Sequence, residues 1–491
     1  MGVAAGSRGR NARDVFVTLA KPRATPAETR PRESGGPGPQ ICPTGRNRKE
    51  TPTVNGADTA FVLISAALVM VMTPGLAFFY GGMVRVKSTL NMLMMSFVSL
   101  GVVSILWVLY GYSLAFGTDH GGVIGSLEHV GLRGIAADTL TGGDEGIPVF
   151  AFALFQLMFA VLTPALMSGA LADRVKFSGW ALFVGLWVTL VYFPVAHWVW
   201  AEGGWLYELE VIDFAGGTAV HINAGIGALA AVLVVGKRIG FTKDPMRPHS
   251  LPLVMLGTAL LWFGWFGFNA GSALAADGTA ATMALNTQVA TGAAMLGWLA
   301  YERVRHGAFT TLGAASGAVA GLVAITPAGA NVSPLGAILI GLVAGAACSA
   351  AVSLKFRLGY DDSLDVVGVH LVGGLIGTLL VGVLATDGVG GLTQLGKQAA
   401  GAFSVLGFSF AVSWLLATLV QATVGFRATE DDETTGVDHA YHAETAYDFS
   451  AVGATAVGRS AVPATPSGGS APGGPAAATQ AAPTTNKKVE A

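Results

Sequence analysis

The segment D-F-A-G-G-T-A-V-H-I-N-A-G-I-G-A-L-A, Asp213–Ala230, places an imidazole, that of His221, in a run that otherwise reads as buried in a membrane. A second segment, Asp365–Leu379 (D-V-V-G-V-H-L-V-G-G-L-I-G-T-L), places His370 in similar surroundings. An ionisable side chain within a membrane span is costly, so it marks a functional site by default. The two segments therefore predict a membrane protein in which two histidines act as a pair.

The overall composition also indicates a membrane protein. Hydrophobic residues make up 52% of the chain and charged residues 12%, whereas soluble proteins carry about 25% charged residues. Glycine is frequent, 68 of 491 residues, and small residues let helix backbones approach closely in lipid. The net charge of −2 gives no basis for binding nucleic acid, and the sequence has no Gly-rich phosphate loop and no zinc-ligand spacing. Cys42 and Cys348 are not expected to form a disulfide.

Eleven apolar segments lie between two polar tails, and each is long enough to cross a bilayer, which takes about 20 residues. Links after odd-numbered segments hold twelve Lys or Arg residues, and links after even-numbered ones hold only Arg133 and Lys397. The positive-inside rule then puts the N-terminus outside and the C-terminus inside. The approximate limits of the segments are 59–81, 91–116, 148–171, 179–200, 217–235, 251–274, 282–301, 308–327, 334–354, 364–386 and 401–425.

The two tails are expected to be disordered. Residues 1–55 form a basic extension with ten Lys or Arg against four Asp or Glu, and residues 449–491 are rich in Ala, Pro and Gly. The predicted orientation would put the basic extension outside. Either it is translocated despite its charge, or the true start lies near Val54, and we favour the second explanation.

Spans 1–5 and 6–10 share short matches in the same order, which indicates an internal repeat. His221 is followed after four residues by Gly225, and His370 is followed after four residues by Gly374. Thr-Pro-Ala occurs at 163–165 and again at 326–328. Because a unit of five spans is odd, its second copy is inverted in the membrane, and inverted repeats place substrate sites near the midplane. The fold class predicted is an all-α polytopic membrane protein with two inverted five-helix repeats plus a final helix.

The repeat places both histidines at similar depth. The alternative is that the two histidines are unrelated polar side chains, each hydrogen-bonded to a neighbouring backbone carbonyl. A metal site would need a third ligand, and no Cys, Asp or Glu within a span supplies one, so neither a metal nor another cofactor is expected. Two imidazoles can instead share a proton, one nitrogen donating while the other accepts.

Aromatic residues cluster in span 3. Phe152, Phe155 and Phe159 recur at helical spacing, with Gln156 beside them. Ordinary packing is the better interpretation for Phe152, whereas Phe155 and Phe159 are candidates for a pore wall.

Span 6 adds Trp265 and Phe268, with Ser272 one turn later. Aromatic faces attract a cation and a hydroxyl oxygen accepts an N–H, so this combination suits an ammonium-like ion. Trp200, at the outer end of span 4, is either another such face or a Trp of the interfacial belt.

Asp213 precedes span 5, and it is either a helix cap or loop charge or an acidic group that lowers the potential at a cation vestibule. A structural role is at least as well supported as direct contact with a ligand. By its order in the repeat, Asp365 is expected to be its counterpart.

These motifs together resemble the ammonium transporter family (Amt/Mep/Rhesus) of bacterial Amt type, in order over residues 57–448. The matching stretches are P-G-L-A-F-F-Y-G-G (74–82), L-F-Q-L-M-F-A-V-L-T-P-A (154–165), P-V-A-H-W-V-W (194–200), D-F-A-G-G-T-A-V-H-I-N-A-G (213–225), W-F-G-W-F-G-F-N-A-G-S (262–272) and D-V-V-G-V-H-L-V-G-G (365–374). The resemblance implies an eleven-span transporter domain over 56–426 in the cell membrane. It also implies a homotrimer with one pore per subunit.

The resemblance assigns roles to individual residues. It implies an outer ammonium recruitment site, a hydrophobic gate, twin pore histidines and a buried vestibule aspartate. The recruitment site corresponds to Phe159, Trp200 and Ser272, and the gate to Phe159 and Phe268. The pore histidines are His221 and His370, and the vestibule aspartate is Asp213. Residues 427–448 resemble the cytoplasmic regulatory tail of the family, and a soluble regulator of the PII type is a plausible partner on resemblance alone.

The expected mechanism is recruitment of ammonium, with methylammonium as an analogue, followed by deprotonation near the Phe gate and passage of ammonia. The sequence leaves open whether the proton follows through the histidines and makes transport electrogenic. Two rival classes are a membrane sensor that binds ammonium without much flux and an intramembrane enzyme that uses the His pair as acid and base. The enzyme is disfavoured because no nucleophile or metal-ligand set lies near the pair.

Overall fold

The structure is a computed structural model that describes residues 53–141 and 145–448, and helices dominate these residues. The longer helices are mostly apolar, and shorter helices connect or follow them. Their bounds are α1 Gly56–Met83, α2 Thr89–Leu106, α3 Tyr112–Phe116, α4 Val149–Met167, α5 Phe177–Trp187, α6 Phe193–Trp200, α7 Trp205–Glu208, α8 Asn223–Val235, α9 Leu251–Gly271, α10 Gly278–His306, α11 Thr311–Ile325, α12 Pro334–Ala351, α13 Leu354–Leu358, α14 Val372–Leu384, α15 Leu392–Thr423, α16 Glu430–Thr435 and α17 Val437–His442.

Nine helical segments of the described residues are long and apolar enough to cross a membrane. The other two predicted spans correspond to α10 and α11. Helix α10 is long, but it buries polar side chains such as Asn286 and Thr291, which lower its hydropathy. Helix α11 is apolar but only 15 residues long. The helical, membrane-spanning class is therefore confirmed, and the count of eleven stays a prediction.

Four π-turns interrupt or open predicted spans 2, 4, 5 and 10, at Trp107–Gly111, Val188–Tyr192, Gly217–Ile222 and Val367–Leu371. The last two contain His221 and His370. A π-turn inserts an extra residue per turn and is frequent at functional sites. The two histidine-bearing segments thus share the same unusual local geometry.

Strands are few and short in the described residues. β1 (Thr53–Val54) pairs in parallel with β4 (Glu145–Gly146), and β2 (Asp119–His120) pairs with β3 (Ile124–Gly125) in an antiparallel hairpin. They tie loops at one end of the spans and contribute little to the apolar core.

The close contact between α1 and α9, which open the two halves of the repeat, depends on glycine. A Cβ added to Gly257 would lie 2.2 Å from the backbone nitrogen of Phe79, and one added to Gly267 would lie 2.7 Å from the carbonyl oxygen of Ser65. Since no larger residue fits, the high glycine content reflects backbone-to-backbone packing of the kind typical of membrane helices.

The links that carry most of the basic residues gather on one face, here called the basic face: residues 84–88, 172–176, 236–250 and 354–366. Arg174, which is fully buried, joins three of them by donating to the carbonyl oxygens of Gly236 (2.8 Å) and Asp361 (2.6 Å). Arg238 forms two hydrogen bonds to the Asp361 carboxylate, at 2.9 and 2.8 Å. Burial works against the ionised form of Asp361, but the guanidinium of Arg238 holds the pKa of the carboxyl below its usual value.

The segment 425–442 packs on this basic face. Glu433 of α16 accepts from the backbone N–H of Ile239 at 2.7 Å, and Arg427 donates to its other oxygen at 2.7 Å. Asp438 of α17 accepts from the backbone N–H groups of Leu90 (2.9 Å) and Asn91 (2.8 Å) at the start of α2. The described part of the predicted tail 427–448 therefore contacts the beginning of span 2.

The described residues up to Ala446 form one compact unit, and Tyr447 and Asp448, which belong to a second unit, form no helix or strand. The disorder predicted for residues 1–55 and 449–491 concerns segments that, apart from 53–55, lie outside the described residues.

Replacing Arg238 with Met is expected to lower stability by about 3–5 kcal/mol, because it leaves the Asp361 carboxylate buried without its charge partner. The midpoint of thermal unfolding of the detergent-solubilised protein, followed by tryptophan fluorescence, measures this effect. The matched control is Lys397→Met, which removes the partner of Glu210 in an ion pair whose side chains are 26% and 44% exposed. That loss should cost less than about 1 kcal/mol. Equal shifts for the two variants would contradict the role given to the buried pair.

Candidate functional site

His221 and His370 meet in the interior of the protein. Their Nδ1 atoms are 3.3 Å apart, and their ring centroids are 5.3 Å apart with the planes inclined by 20°. At this distance one Nδ1 carries the shared proton and the other accepts it, so the two rings hold complementary tautomers. Nε2 of His221 is buried and has no hydrogen-bond partner among the described residues. The pair therefore retains a free polar atom in an apolar setting.

The glycines that follow each histidine explain how the two segments come so close. A Cβ added to Gly225 would lie 2.5 Å from the backbone nitrogen of Leu371, next to His370. A Cβ added to Gly374 would lie 3.1 Å from the Cβ of His221 and 3.1 Å from the Gly217 carbonyl oxygen. Each glycine thus makes room for the segment that carries the other histidine.

Asp213 caps the π-turn that carries His221. Its carboxylate accepts from the backbone N–H groups of Gly216 (3.0 Å), Thr218 (2.9 Å) and Ala219 (2.9 Å), and also from Gly217. Burial raises the pKa of Asp213 to about 6, and these donors act in the opposite direction. The ionised carboxylate therefore predominates at neutral pH, and it organises the backbone just before the histidine.

The counterpart of Asp213 is Asp362, and the expectation for Asp365 is wrong. Asp362 accepts from the N–H groups of Val366 (3.0 Å) and Val367 (2.7 Å) at the start of the π-turn that carries His370. Asp365 instead pairs with Lys355 at 2.6 Å. Asp362 lies eight residues before His370, as Asp213 lies eight before His221. Equal spacing to the histidine is the sequence signal that could have identified Asp362, whereas order in the repeat pointed to Asp365.

A column of aromatic rings leads from Trp200 to the histidines. Trp200 contacts Phe159 edge-on, with centroids 5.9 Å apart, and Phe159 stacks on Phe268 at 4.2 Å. Phe268 lies 6.0 Å from His221 in a stacked arrangement, and His221 is in turn stacked with His370. All five rings are buried, and they form one continuous wall across predicted spans 3, 4, 5, 6 and 10.

Trp265 lies beside this column, 5.5 Å from His221 and inclined by 22°. Its indole N–H donates to Thr326 Oγ1 at 3.0 Å, which lies 3.1 Å from Asn269 Oδ1. Thr326 was recognised in the sequence only as part of the repeated Thr-Pro-Ala motif, so its position against Trp265 was not foreseen. It fixes the ring that flanks His221.

The remaining predicted residues occupy the surroundings of the column. Ser272 donates its hydroxyl to the Phe268 carbonyl oxygen at 2.9 Å. Phe155 packs edge-on against Phe159 at 4.9 Å, whereas Phe152 packs against Phe116 at 5.0 Å, outside the column, as its packing interpretation predicted. Gln156 is buried on α4, and within the described residues no hydrogen bond joins its side chain to the column.

Trp200 connects the column to Asp213. Its indole N–H donates to the Asp213 carbonyl oxygen at 2.9 Å. The residue is 4% exposed, so it is a buried part of this site and the belt interpretation is wrong. The link between Trp200 and Asp213 joins the C-terminal end of predicted span 4 to the cap of the His221 segment.

The model of the Ammonium Transporter Family matches residues 60–447 of this chain. The chain belongs to this family. The resemblance recognised in the sequence motifs is therefore confirmed, and this ammonium transporter family member is a multi-pass membrane protein, located in the plasma membrane in bacteria.

Named relatives match over most of their length. The chain is 55% identical over 434 residues to an ammonium transporter of Mycobacterium tuberculosis (strain ATCC 25618 / H37Rv), covering 81% of this chain and 91% of the relative. It is 46% identical over 401 residues to an ammonium transporter of Bacillus subtilis (strain 168), covering 79% and 98%.

Solved structures of the family are also similar. A Sensor Amt Protein matches with a TM-score of 0.74 and 30% identity, covering 78% of this chain and 98% of that one. The crystal structure of Saccharomyces cerevisiae Mep2 matches with a TM-score of 0.72 and 36% identity, covering 78% and 89%. This ammonium transporter family member thus shares its fold with the Sensor Amt Protein and with Mep2.

Gly225→Ala is expected to destabilise the protein by about 1–3 kcal/mol, the usual cost of overpacking, because the added methyl group collides with the backbone at Leu371. The unfolding midpoint in detergent is the measurement. Gly101→Ala on α2 is the control, since its Cβ meets nothing within 4 Å and the change should be neutral or stabilise by up to about 1 kcal/mol. A Gly225→Ala protein as stable as Gly101→Ala would show that the two histidine segments do not need this close approach.

Proposed function

We propose that this protein transports ammonium across the cell membrane, recruiting it at Phe159, Trp200 and Ser272 and passing ammonia along His221 and His370. The observation that carries the proposal is the unbroken ring column from Trp200 to His370, which ends on an imidazole pair with a free, buried Nε2. Sequence similarity to named ammonium transporters supports the choice of substrate.

The recruitment step uses aromatic faces and one hydroxyl. The rings of Trp200 and Phe159 meet at 86°, which forms a corner that attracts a cation through the negative faces of the rings. The Ser272 hydroxyl gives its hydrogen to the Phe268 carbonyl, so its lone pairs point elsewhere and can accept an N–H. The site therefore favours a cation that can also donate a hydrogen bond, which a spherical metal ion cannot do.

The stacked pair Phe159 and Phe268 forms the gate. With centroids 4.2 Å apart, the rings leave no open passage between them, and a hydrated ion would have to shed its water to pass. Moving an unpaired charge through such an apolar constriction is expensive. Ammonium can transfer its proton to solvent water on the recruitment side of the gate and cross as neutral ammonia. Potassium has no neutral form, and this difference supplies the selectivity.

The histidine pair then receives the neutral solute. Because one ring shares its Nδ1 proton with the other, the Nε2 atoms present one donor and one acceptor. Ammonia can both donate and accept hydrogen bonds, so it can pass from one imidazole to the other without a charged intermediate. Asp213 supports this step through the backbone it organises before His221, and Trp265 supports it by packing on the His221 ring.

The proposed architecture has eleven spans over residues 56–426 with the N-terminus outside and the basic face in the cytoplasm. The gathering of the basic links on one face supports this orientation. By family likeness we further propose a homotrimer, a regulatory role for the tail 427–448 and a PII-type regulator on the cytoplasmic face. The contacts of Asp438 with the start of α2 support a mechanical link between this tail and span 2.

The second candidate function is ammonium sensing with little flux, which the similarity to a Sensor Amt Protein favours. Uptake of labelled methylammonium into proteoliposomes separates the two. The transporter proposal requires saturable uptake above that of protein-free liposomes, and a pure sensor gives none.

His221→Ala and His370→Ala are each expected to lower methylammonium uptake in proteoliposomes by about tenfold or more, or to weaken selectivity against potassium. Each change removes hydrogen bonds to the passing solute, and tenfold corresponds to about 1.4 kcal/mol. His306→Ala, at the exposed end of α10, is the matched control and should keep wild-type uptake. The proposal fails if both histidine variants keep wild-type uptake and selectivity.

A further inference from the structure

His197, on the same short helix as Trp200, makes two hydrogen bonds that the transport proposal does not use. It is fully buried, its Nδ1 lies 3.0 Å from the Ala115 carbonyl oxygen, and its Nε2 lies 2.9 Å from Asp119 Oδ1. A carbonyl and a carboxylate both accept, and a neutral imidazole has a single N–H to give. Whichever ring nitrogen carries the proton, these two contacts hold His197 between the Ala115 carbonyl and the carboxylate of Asp119.

Asp119 begins the β2–β3 hairpin, so its contact with His197 closes the hairpin onto α6. The same carboxylate oxygen accepts from the backbone N–H of Gly122 at 2.8 Å, which fixes the turn. Gly121 and Gly122 adopt positive φ angles of 69° and 77° in that turn. Because Asp119 holds both the turn and His197, the hairpin is tied to α6 through one side chain.

Neighbouring contacts tighten the same junction. The indole N–H of Trp198 donates to the Val123 carbonyl oxygen at 2.7 Å, and the backbone N–H of Trp205 donates to the Gly122 carbonyl oxygen at 3.0 Å. A Cβ added to Gly204 would lie 2.1 Å from the His197 carbonyl oxygen. The chain on both sides of Trp200 is therefore held against the hairpin.

The junction bears on the placement of Trp200, three residues after His197. Residues three apart on a helix are surface neighbours, so displacement of His197 moves the end of α6 that carries Trp200. Trp200 in turn contacts Phe159 and donates to the Asp213 carbonyl oxygen. A shift of this ring changes the corner that attracts the cation.

We propose that the contact between His197 and Asp119 is a clasp that positions Trp200 and thereby sets the affinity of the outer recruitment site. His197 acts as a positioning residue, since it touches neither the substrate path nor the histidine pair in the contacts described above. The inference rests on the proposed function for its effect on affinity, and its structural part stands independently.

The test compares His197→Gln and Asp119→Asn with the wild type in two measurements. Hydrogen–deuterium exchange should rise in the hairpin and in the segment 199–213 that contains Trp200. The methylammonium concentration for half-maximal uptake should rise by about tenfold, the effect of losing one hydrogen bond of ordinary strength, while the maximal rate stays within about twofold of wild type. Asp119→Glu, which keeps the charge, should restore part of the affinity.

Ser113→Ala is the matched control. Ser113 Oγ donates to the Ser126 carbonyl oxygen at 2.7 Å and accepts from the backbone N–H of His129 at 2.9 Å. Its hydroxyl therefore holds the far arm of the same loop, and neither of these hydrogen bonds goes to α6. This variant should raise exchange near 124–129 and leave half-saturation unchanged.

Two outcomes would overturn the inference. One is faster exchange in the hairpin with no change in residues 199–213, which would show that the clasp holds the hairpin but does not position Trp200. The other is a fall in maximal rate with unchanged half-saturation, which would indicate a general loss of folded protein. If the wild type shows no saturable uptake, the transport proposal fails, while the exchange data still decide whether the clasp positions Trp200.

Discussion

The 3.3 Å contact between the Nδ1 atoms of His221 and His370 constrains much of the surrounding structure. Two imidazoles in an apolar interior are tolerable when each satisfies the other, because an unpaired buried polar group is costly. To bring them together, two segments must approach almost backbone to backbone, which Gly225 and Gly374 permit. The two capping aspartates, Asp213 and Asp362, then fix the backbone of the π-turn that carries each histidine.

The cost of leaving a buried polar group unpaired also explains the composition of the ring column. Between Trp200 and His370 the wall is built from aromatic rings, and three polar groups beside it already have hydrogen-bond partners. Trp265 gives its N–H to Thr326, Trp200 gives its N–H to Asp213, and Ser272 gives its hydrogen to Phe268. In the proposed function, such a wall favours a small solute that can become neutral and form hydrogen bonds, as ammonia can.

The two ends of the spans are held by different means. On the basic face, buried guanidinium groups such as those of Arg174 and Arg238 join several links and dock the tail through Glu433. On the opposite ends, a two-stranded hairpin, tryptophan N–H groups and the His197–Asp119 pair close the loops. Charge networks of the first kind rigidify a surface that contacts the tail, while the second kind lies close to the proposed recruitment site.

The sequence by itself determined the membrane class, the approximate positions of the spans, the family and the residues that line the ring column. It could do so because hydropathy, loop charge and an ionisable residue in an apolar run are local signals that the bilayer imposes on any chain. The tertiary structure decided which groups pair. It replaced Asp365 with Asp362, placed Thr326 against Trp265 and joined His197 to Asp119, 78 residues away. Such pairings depend on distances and hydrogen-bond directions between segments that are remote in sequence. Composition and residue spacing do not determine these distances and directions.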